Sequence, residues 1–220
     1  MKRTPEPEEL MDEADQALAY AQADFSESNE LFLELFSRLH PEPFTGRMLD
    51  LGCGPADIPL RFARRHPGAR IDALDGARAM LDLAQQAIEA EELEQRIRLH
   101  CQYLPATGLA GDYDAVVSNS LLHHLNDPLD LWRTIAACGA SGAHVLVMDL
   151  LRPDSPERVD ALVAQYAADA PEVLRRDFHA SLHAAYTLDE VREQLARCDL
   201  DSLAVEQVSD RHLAVMGRLP

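Results

Sequence analysis

Between residues 47 and 150, short apolar runs alternate with amphipathic stretches, and no other feature of the chain restricts its fold as much. Met48-Leu49-Asp50-Leu51 reads as a strand running into Gly52-Cys53-Gly54. Residues 55–66 read as a helix, with Pro59 tolerated only in its first turn, where its missing N–H is not needed. Ile71 to Leu74 is a second strand, and 77–92 a helix with Met80, Leu81, Leu83, Ala84, Ala87 and Ile88 as its apolar positions. Ile97 to Cys101, Tyr113 to Ser118 and His144 to Leu150 are three more strands, with a helix over 127–138 before the last. This alternation predicts βαβ units and a parallel sheet covered on both faces, an α/β three-layer sandwich.

The flanks obey other patterns. Residues 6–25 are acidic and Ala-rich and predict a helix; a second starts near Ser28, carries Leu31, Phe32, Leu35, Phe36 and Leu39 at helical spacing, and is stopped by Pro41 and Pro43. After Arg152-Pro153 the alternation breaks, and 156–185 read as two helices with no strand between them. Leu188 to Cys198 is a helix that Thr187 and Glu190 open as a capping box. Strands near 202–208 and 211–217 with a tight turn between them predict a hairpin that adds an antiparallel strand to the sheet. One domain over 1–220 is expected, with 1–45 as a helical cover and 153–186 as a helical insertion forming a lid.

Charge narrows the function. Twenty Lys and Arg stand against 38 Asp and Glu, a formal net charge of −18. Such a chain repels phosphate backbones and anionic membranes, so neither nucleic acid nor a membrane is an expected partner. No apolar run approaches the roughly 20 residues of a membrane span. Glu6, Glu8 and Glu9 follow Met1-Lys2-Arg3 where a signal peptide would be apolar, and a cytoplasmic location is expected. Cys53, Cys101, Cys138 and Cys198 are scattered without a C-x-x-C pair, which predicts neither a disulfide framework nor a zinc site. A monomer or a homodimer is expected.

Chemistry concentrates at three strand ends. Gly52 and Gly54 lie at a strand-to-helix turn, where glycine lets backbone turn sharply and approach a ligand, and where amides of the next helix receive polar atoms. A dinucleotide fingerprint would place a third glycine at position 57, but Asp57 stands there and its charge opposes a pyrophosphate. Asp75 ends the next strand, where an acid can accept both hydroxyls of a ribose; Asp72, the competing acid, falls in mid-strand. Ser118 to Leu125 follows the fourth strand and therefore enters the cleft at the carboxyl ends of the strands, bringing Asn119, His123 and His124 with it.

In combination, the runs LDLGCG, the acid followed by GARAML, and YDAVVSNSLLHHLNDP resemble the class I S-adenosylmethionine-dependent methyltransferases of the small-molecule type, in that family's order. The resemblance implies a Rossmann-like, mostly parallel seven-stranded sheet of order 3-2-1-4-5-7-6 with the last strand antiparallel. It also implies S-adenosylmethionine as cofactor, S-adenosylhomocysteine as product, and an in-line displacement at the sulfonium methyl. Carried over, Asp50, Gly52 and Gly54, with Cys53 between them, cradle the methionine part. Asp75, next to Gly76, holds the ribose; Met80 packs on the adenine; Asn119 lies beside the sulfonium. Where the family often has an acid for the adenine amino group, this chain has Gln102, flanked by Cys101 and Tyr103. Tyr20 from the N-terminal cover is expected over the cofactor.

The resemblance leaves the acceptor open. His124 or His123 is the first expectation for a base and Asp149 the second. Phe25 and Arg152, with Tyr166, His179 and His183 of the insertion, are expected to line the substrate space. His179 and His183 have the i, i+4 spacing of a metal pair, but a third ligand such as Asp149 would have to come from elsewhere, and no metal is expected. A non-methyl use of the same cofactor, and a module that binds it without turnover, are the competing functions.

Overall fold

A computed structural model describes residues 1–6 and 12–220. The helix expected over 6–25 is α1, Ala14–Gln22; residues 7–11 of that expectation lie outside the described residues. Helix α2, Ser26–Leu39, buries Phe32, Leu33, Leu35 and Phe36. Then come β1 (Arg47–Leu51), α3 (Asp57–Arg65, with Pro59 in its first turn), β2 (Arg70–Asp75), α4 (Arg78–Ala90), β3 (Ile97–Cys101) and β4 (Tyr113–Asn119). A 3-10 turn at Leu122–His124 leads to α5 (Leu129–Cys138) and β5 (Gly139–Leu150). Strand β5 starts before the expected His144 because Tyr113 pairs with Gly139 ahead of a register shift that sets Ala115 against His144. The insertion is α6 (Pro156–Tyr166) and α7 (Glu172–Ala184). Helix α8 (Leu188–Ala196) opens on the Thr187–Glu190 capping box, and β6 (Ala204–Gln207) and β7 (His212–Arg218) close the chain.

The seven strands form one sheet in the order β3-β2-β1-β4-β5-β7-β6, and β7 runs antiparallel to both of its neighbours. Side chains alternate across the sheet with period two. Met48, Ile71, Ala73, Val117, Leu146 and Met148 face the cluster built with α2, α3 and α4. Leu49, Leu51, Leu74, Val116, Val145 and Val147 face the cluster built with α5 and α8. Burying both faces explains why these strands read as continuous apolar runs.

Strand β1 has β2 on one side and β4 on the other, so the winding direction reverses there and the chain departs to opposite faces. The carboxyl ends of β1, β2 and β4 therefore open a crevice, the usual ligand site of such sheets. Helix α1 lies on the same edge, with Ala17 packed against Ala77 and Met80 at the start of α4. Helices α6 and α7 build a separate apolar cluster on Leu150 from Val159, Leu162 and Leu182. Among the described residues, no helix is long and apolar enough to cross a membrane.

Candidate functional site

The turn after β1 is held in a left-handed backbone at Gly52 (φ 76°), Gly54 (φ 52°) and Ala56 (φ 69°). A Cβ at Gly52 would come within 2.9 Å of the Leu121 side chain, whereas at Gly54 it would meet nothing within 4 Å and would fill the crevice. The amides of Gly52 and Cys53 donate to the Leu74 carbonyl at 2.8 and 2.9 Å, which ties this turn to β2. Asp75 completes the tie. Its Oδ2 accepts from the Gly54 amide at 2.8 Å and its Oδ1 from the Ala77 amide at 2.8 Å. Burial raises the Asp75 pKa, and the Ala77 and Gly54 amides only partly oppose it. Each oxygen keeps a lone pair for a further donor.

Asp50 is the most unusual group here. It is 1% exposed, and neither carboxylate oxygen has a hydrogen-bond partner among the described residues. Burial, reinforced by the charge of Asp75, pushes its pKa up to about 8. Asn119 Oδ1 is buried and equally without a partner, while its Nδ2 donates to Asn29 Oδ1 at 3.2 Å. Asn29 in turn donates to Asp57, which Arg61 holds at 2.8 Å. A cavity lined by Asp50, Asn29, Asn119, Asp57, Gly52 and Gly54 thus presents three unsatisfied oxygens. Leaving such groups unmatched is costly, and a cationic donor such as an ammonium would match them.

A second cavity opens next to the first, and Tyr20, Gly52, Gly54 and Asn119 line both. Its walls include Asp75, Gly76, Met80, Gln102, Tyr103 and His124. Gln102 faces this space, but its Oε1 already accepts from the Thr107 amide at 3.2 Å, and Tyr103 is 62% exposed. Tyr20 meets Phe25 with ring centroids 4.7 Å apart, so α1 and the start of α2 form one aromatic wall. Burial, with the charges of Asp75 and Asp57, pushes the Tyr20 hydroxyl up to about 12 and keeps it a neutral donor. Cys53 lines the Asp50 cavity, and burial raises its thiol pKa, so it acts as packing.

The two histidines divide. His124 lines the crevice, and its Nδ1 bonds Glu6, whose other oxygen accepts from Ser181 Oγ at 2.5 Å. His123 does not line it; the ring lies behind His124, 4.0 Å away, with Nδ1 2.6 Å from Asp149 Oδ1. Asp149 also accepts from the amides of Leu122 and Leu150. The expectation that His123 or Asp149 faces an acceptor is therefore corrected: both are 2% exposed and bind each other.

Four expected substrate residues also lie elsewhere. Arg152 pairs with Glu190 at 2.7 Å and donates to the Ala185 carbonyl, anchoring α8 to the insertion. Tyr166 bonds Asp210, with the Arg211 guanidinium 3.4 Å from its ring centroid. His179 stands on the surface 3.5 Å from Asp160, and His183 is its ring partner at 4.8 Å. For the two histidines the reason is helical facing: Leu182 and Phe178 of α7 turn toward α6, which carries His179 and His183 away from the crevice, and Tyr166 itself packs on that cluster. The insertion reaches the N-terminal segment through other residues, Ser181 to Glu6 and Asp177 to Gln16 at 2.8 Å.

Glu6, Asn29 and Ser181 escaped the sequence reading. Asn29 had a signal: it shares the buried stripe of α2 with Phe32, Leu33 and Phe36, and a polar residue on such a stripe requires a partner. Glu6 and Ser181 had none, since they meet across a separation of 175 residues.

Known proteins point the same way. Residues 49–145 match the family model described as a methyltransferase domain. Over 104 residues the chain is 38% identical to the trans-aconitate 2-methyltransferase of Mycobacterium tuberculosis, a match covering 47% of this chain and 36% of that one. The chain thus spans about a third of the length of that curated relative. A putative S-adenosyl-L-methionine-dependent methyltransferase structure from Methanococcus maripaludis superposes with a TM-score of 0.74 at 16% identity, covering 100% of this chain and 98% of that one. The Haemonchus contortus phosphoethanolamine N-methyltransferase 2, solved with S-adenosylhomocysteine, superposes at 0.68 and 18% identity over 89% of this chain and 44% of that one.

Proposed function

We propose that the chain is a class I S-adenosylmethionine-dependent methyltransferase that transfers a methyl group to a small-molecule acceptor in the cytoplasm, a reading supported by the methyltransferase-domain match over residues 49–145 and by the strand order of the sheet. The carrying observation is the buried Asp50 carboxylate, unpartnered beside Asn119 and one strand away from Asp75.

When bound, S-adenosylmethionine supplies an electrophilic sulfonium methyl, whose C–S bond breaks as an acceptor lone pair forms the new bond. The residues do the rest by position. Asp50 and Asn119 oxygens receive the ammonium of the methionine part, and the open Gly54 lets backbone approach it. Asp75 accepts the ribose hydroxyls with the lone pairs left by its two amide bonds. Met80 and Gln102 border the base, and Gln102 offers its amide N–H as well as an oxygen already shared with Thr107. Tyr20 and Phe25 exclude water from above. His124 is the side chain through which the protein acts on the proton an acceptor hydroxyl, thiol or amine must lose. Alignment and exclusion of water supply most of the acceleration, since the methyl donor is already activated.

Calorimetry of the purified chain with S-adenosylhomocysteine and, separately, NAD tests this reading. Binding of the first and not the second is expected, and binding of NAD alone would overturn it. Transfer of labelled methyl to a panel of small acids, phenols, thiols and amines then identifies the acceptor atom.

A further inference from the structure

Glu6, His123 and His124 each offer a ligand atom, and these atoms lie within 4.8 Å of one another. Neighbouring contacts hold the grouping together. The histidines are neighbours on a 3-10 turn with rings 4.0 Å apart. Glu6 comes from an N-terminal segment bound on two sides: the Thr4 amide donates to the His183 carbonyl at 2.9 Å, and Arg3 donates to the carbonyls of Ala184 and His123 at 2.6 and 3.0 Å. The Arg3 guanidinium also lies 4.2 Å from the Tyr186 ring centroid.

Outer partners orient the three groups as they do in metal sites. Asp149 holds His123 Nδ1 at 2.6 Å, which leaves Nε2 as the nitrogen free to ligate. Such a carboxylate–histidine pair fixes the tautomer and raises the basicity of the ligating nitrogen. Ser181 holds one oxygen of Glu6 and leaves the other to the trio. Two largely buried carboxylates, Glu6 and Asp149, converge on two imidazoles.

We propose that Glu6, His123 and His124 form a binding site for a divalent transition-metal ion on the acceptor side of the crevice. Two imidazoles and one carboxylate favour zinc, cobalt, nickel or iron over magnesium or calcium, which prefer oxygen-only shells. Three protein ligands leave a coordination position open, as in catalytic rather than structural sites. His124 lines the crevice, so an ion held there would lie beside the space left for the acceptor. An acceptor oxygen or sulfur bound there loses its proton more readily, since the ion acts as a Lewis acid. That consequence rests on the methyl-transfer reading; the ion site itself does not.

The test uses the full chain without a histidine tag, stripped by chelator and titrated with Zn²⁺ by calorimetry and with Co²⁺ by visible absorption. One tightly bound equivalent is expected, with the ligand-field bands of a low-coordinate Co²⁺ ion. Glu6→Gln and His124→Asn should each weaken binding about tenfold or more, and Asp149→Asn by about 10–100-fold, as for outer-shell partners. His179→Asn and His183→Asn should leave it unchanged. Because Asp149 also holds two backbone amides, Glu6→Gln carries the test if Asp149→Asn does not fold. Failure to bind one equivalent, or binding that ignores Glu6→Gln and vanishes in His179→Asn, overturns the proposal. S-adenosylhomocysteine calorimetry on the same samples separates the two readings. Lost metal binding with intact cofactor binding refutes only the ion site, and the converse result refutes only the methyl-transfer reading.

Discussion

Asp149 Oδ1 lies 2.6 Å from His123 Nδ1, and the same carboxylate accepts the amides of Leu122 and Leu150 at 2.7 and 2.6 Å. One buried acid thus fixes the 3-10 turn that presents His124 to the crevice. Removing it leaves two amides and an imidazole without partners. Asp149→Ala should cost roughly 3–5 kcal/mol, the range for breaking a buried pair by deleting one member, measured by urea unfolding. Burial pushes the His123 pKa down, but Asp149 and Glu6 outweigh it and the net shift is upward. A raised histidine contributes stability fully below its unfolded pKa of about 6.5 and loses it as pH rises through the folded value. Stability should therefore decline more steeply above pH 6.5 in the parent chain than in His123→Gln, and equal slopes would contradict the assignment.

Among the described residues nothing bonds the buried Asp50 carboxylate, which costs the ligand-free fold. Its pKa of about 8 lies above the ordinary 3.8, so between those values the folded state binds more protons than the unfolded one. Its contribution then falls as pH rises through that window. Asp50→Asn should stabilise the ligand-free chain by roughly 1–3 kcal/mol at pH 8 and weaken S-adenosylhomocysteine binding. Thermal melts with and without ligand measure both effects, and a variant that loses stability at pH 8 would refute the account.

The two acids of β2 have separate jobs. Asp75→Ala should weaken cofactor binding by roughly 1–3 kcal/mol while the chain still folds. Asp72 bonds His100 at 2.7 Å, Tyr113 at 3.0 Å and Arg47 at 3.3 Å. Burial raises its pKa, and those three partners more than reverse the effect. Asp72→Ala should cost stability and leave cofactor affinity unchanged. Calorimetry on both variants decides, and the reverse pattern would show that the ribose acid is Asp72.

For His124, the expected loss is catalytic. His124→Asn should lower turnover by about 10²–10⁴-fold with S-adenosylhomocysteine affinity retained. A change confined to the apparent acceptor affinity would assign the ring to positioning. His179→Asn on the outer face of α7 should keep the parent rate.

Local pattern determined the succession of elements. Alternation over 47–150 set the order of strands and helices, the family resemblance supplied the order of strands across the sheet, and period-two burial set which apolar residue faces which layer. The glycine turn and the end-of-strand position of Asp75 were legible for the same reason: backbone conformation and side-chain direction along a strand depend on near neighbours. Position across the molecule was not legible. His123 and His124 are adjacent and alike, yet the rotation of a 3-10 turn sends one to Asp149 and the other to the crevice. The periodicity of α7 required an apolar face but did not say that α6 would take it and leave His179 and His183 outside. Glu6 meets His124 over 118 residues and Ser181 over 175, and no local signal encodes a contact that exists only once the sheet and the insertion have packed.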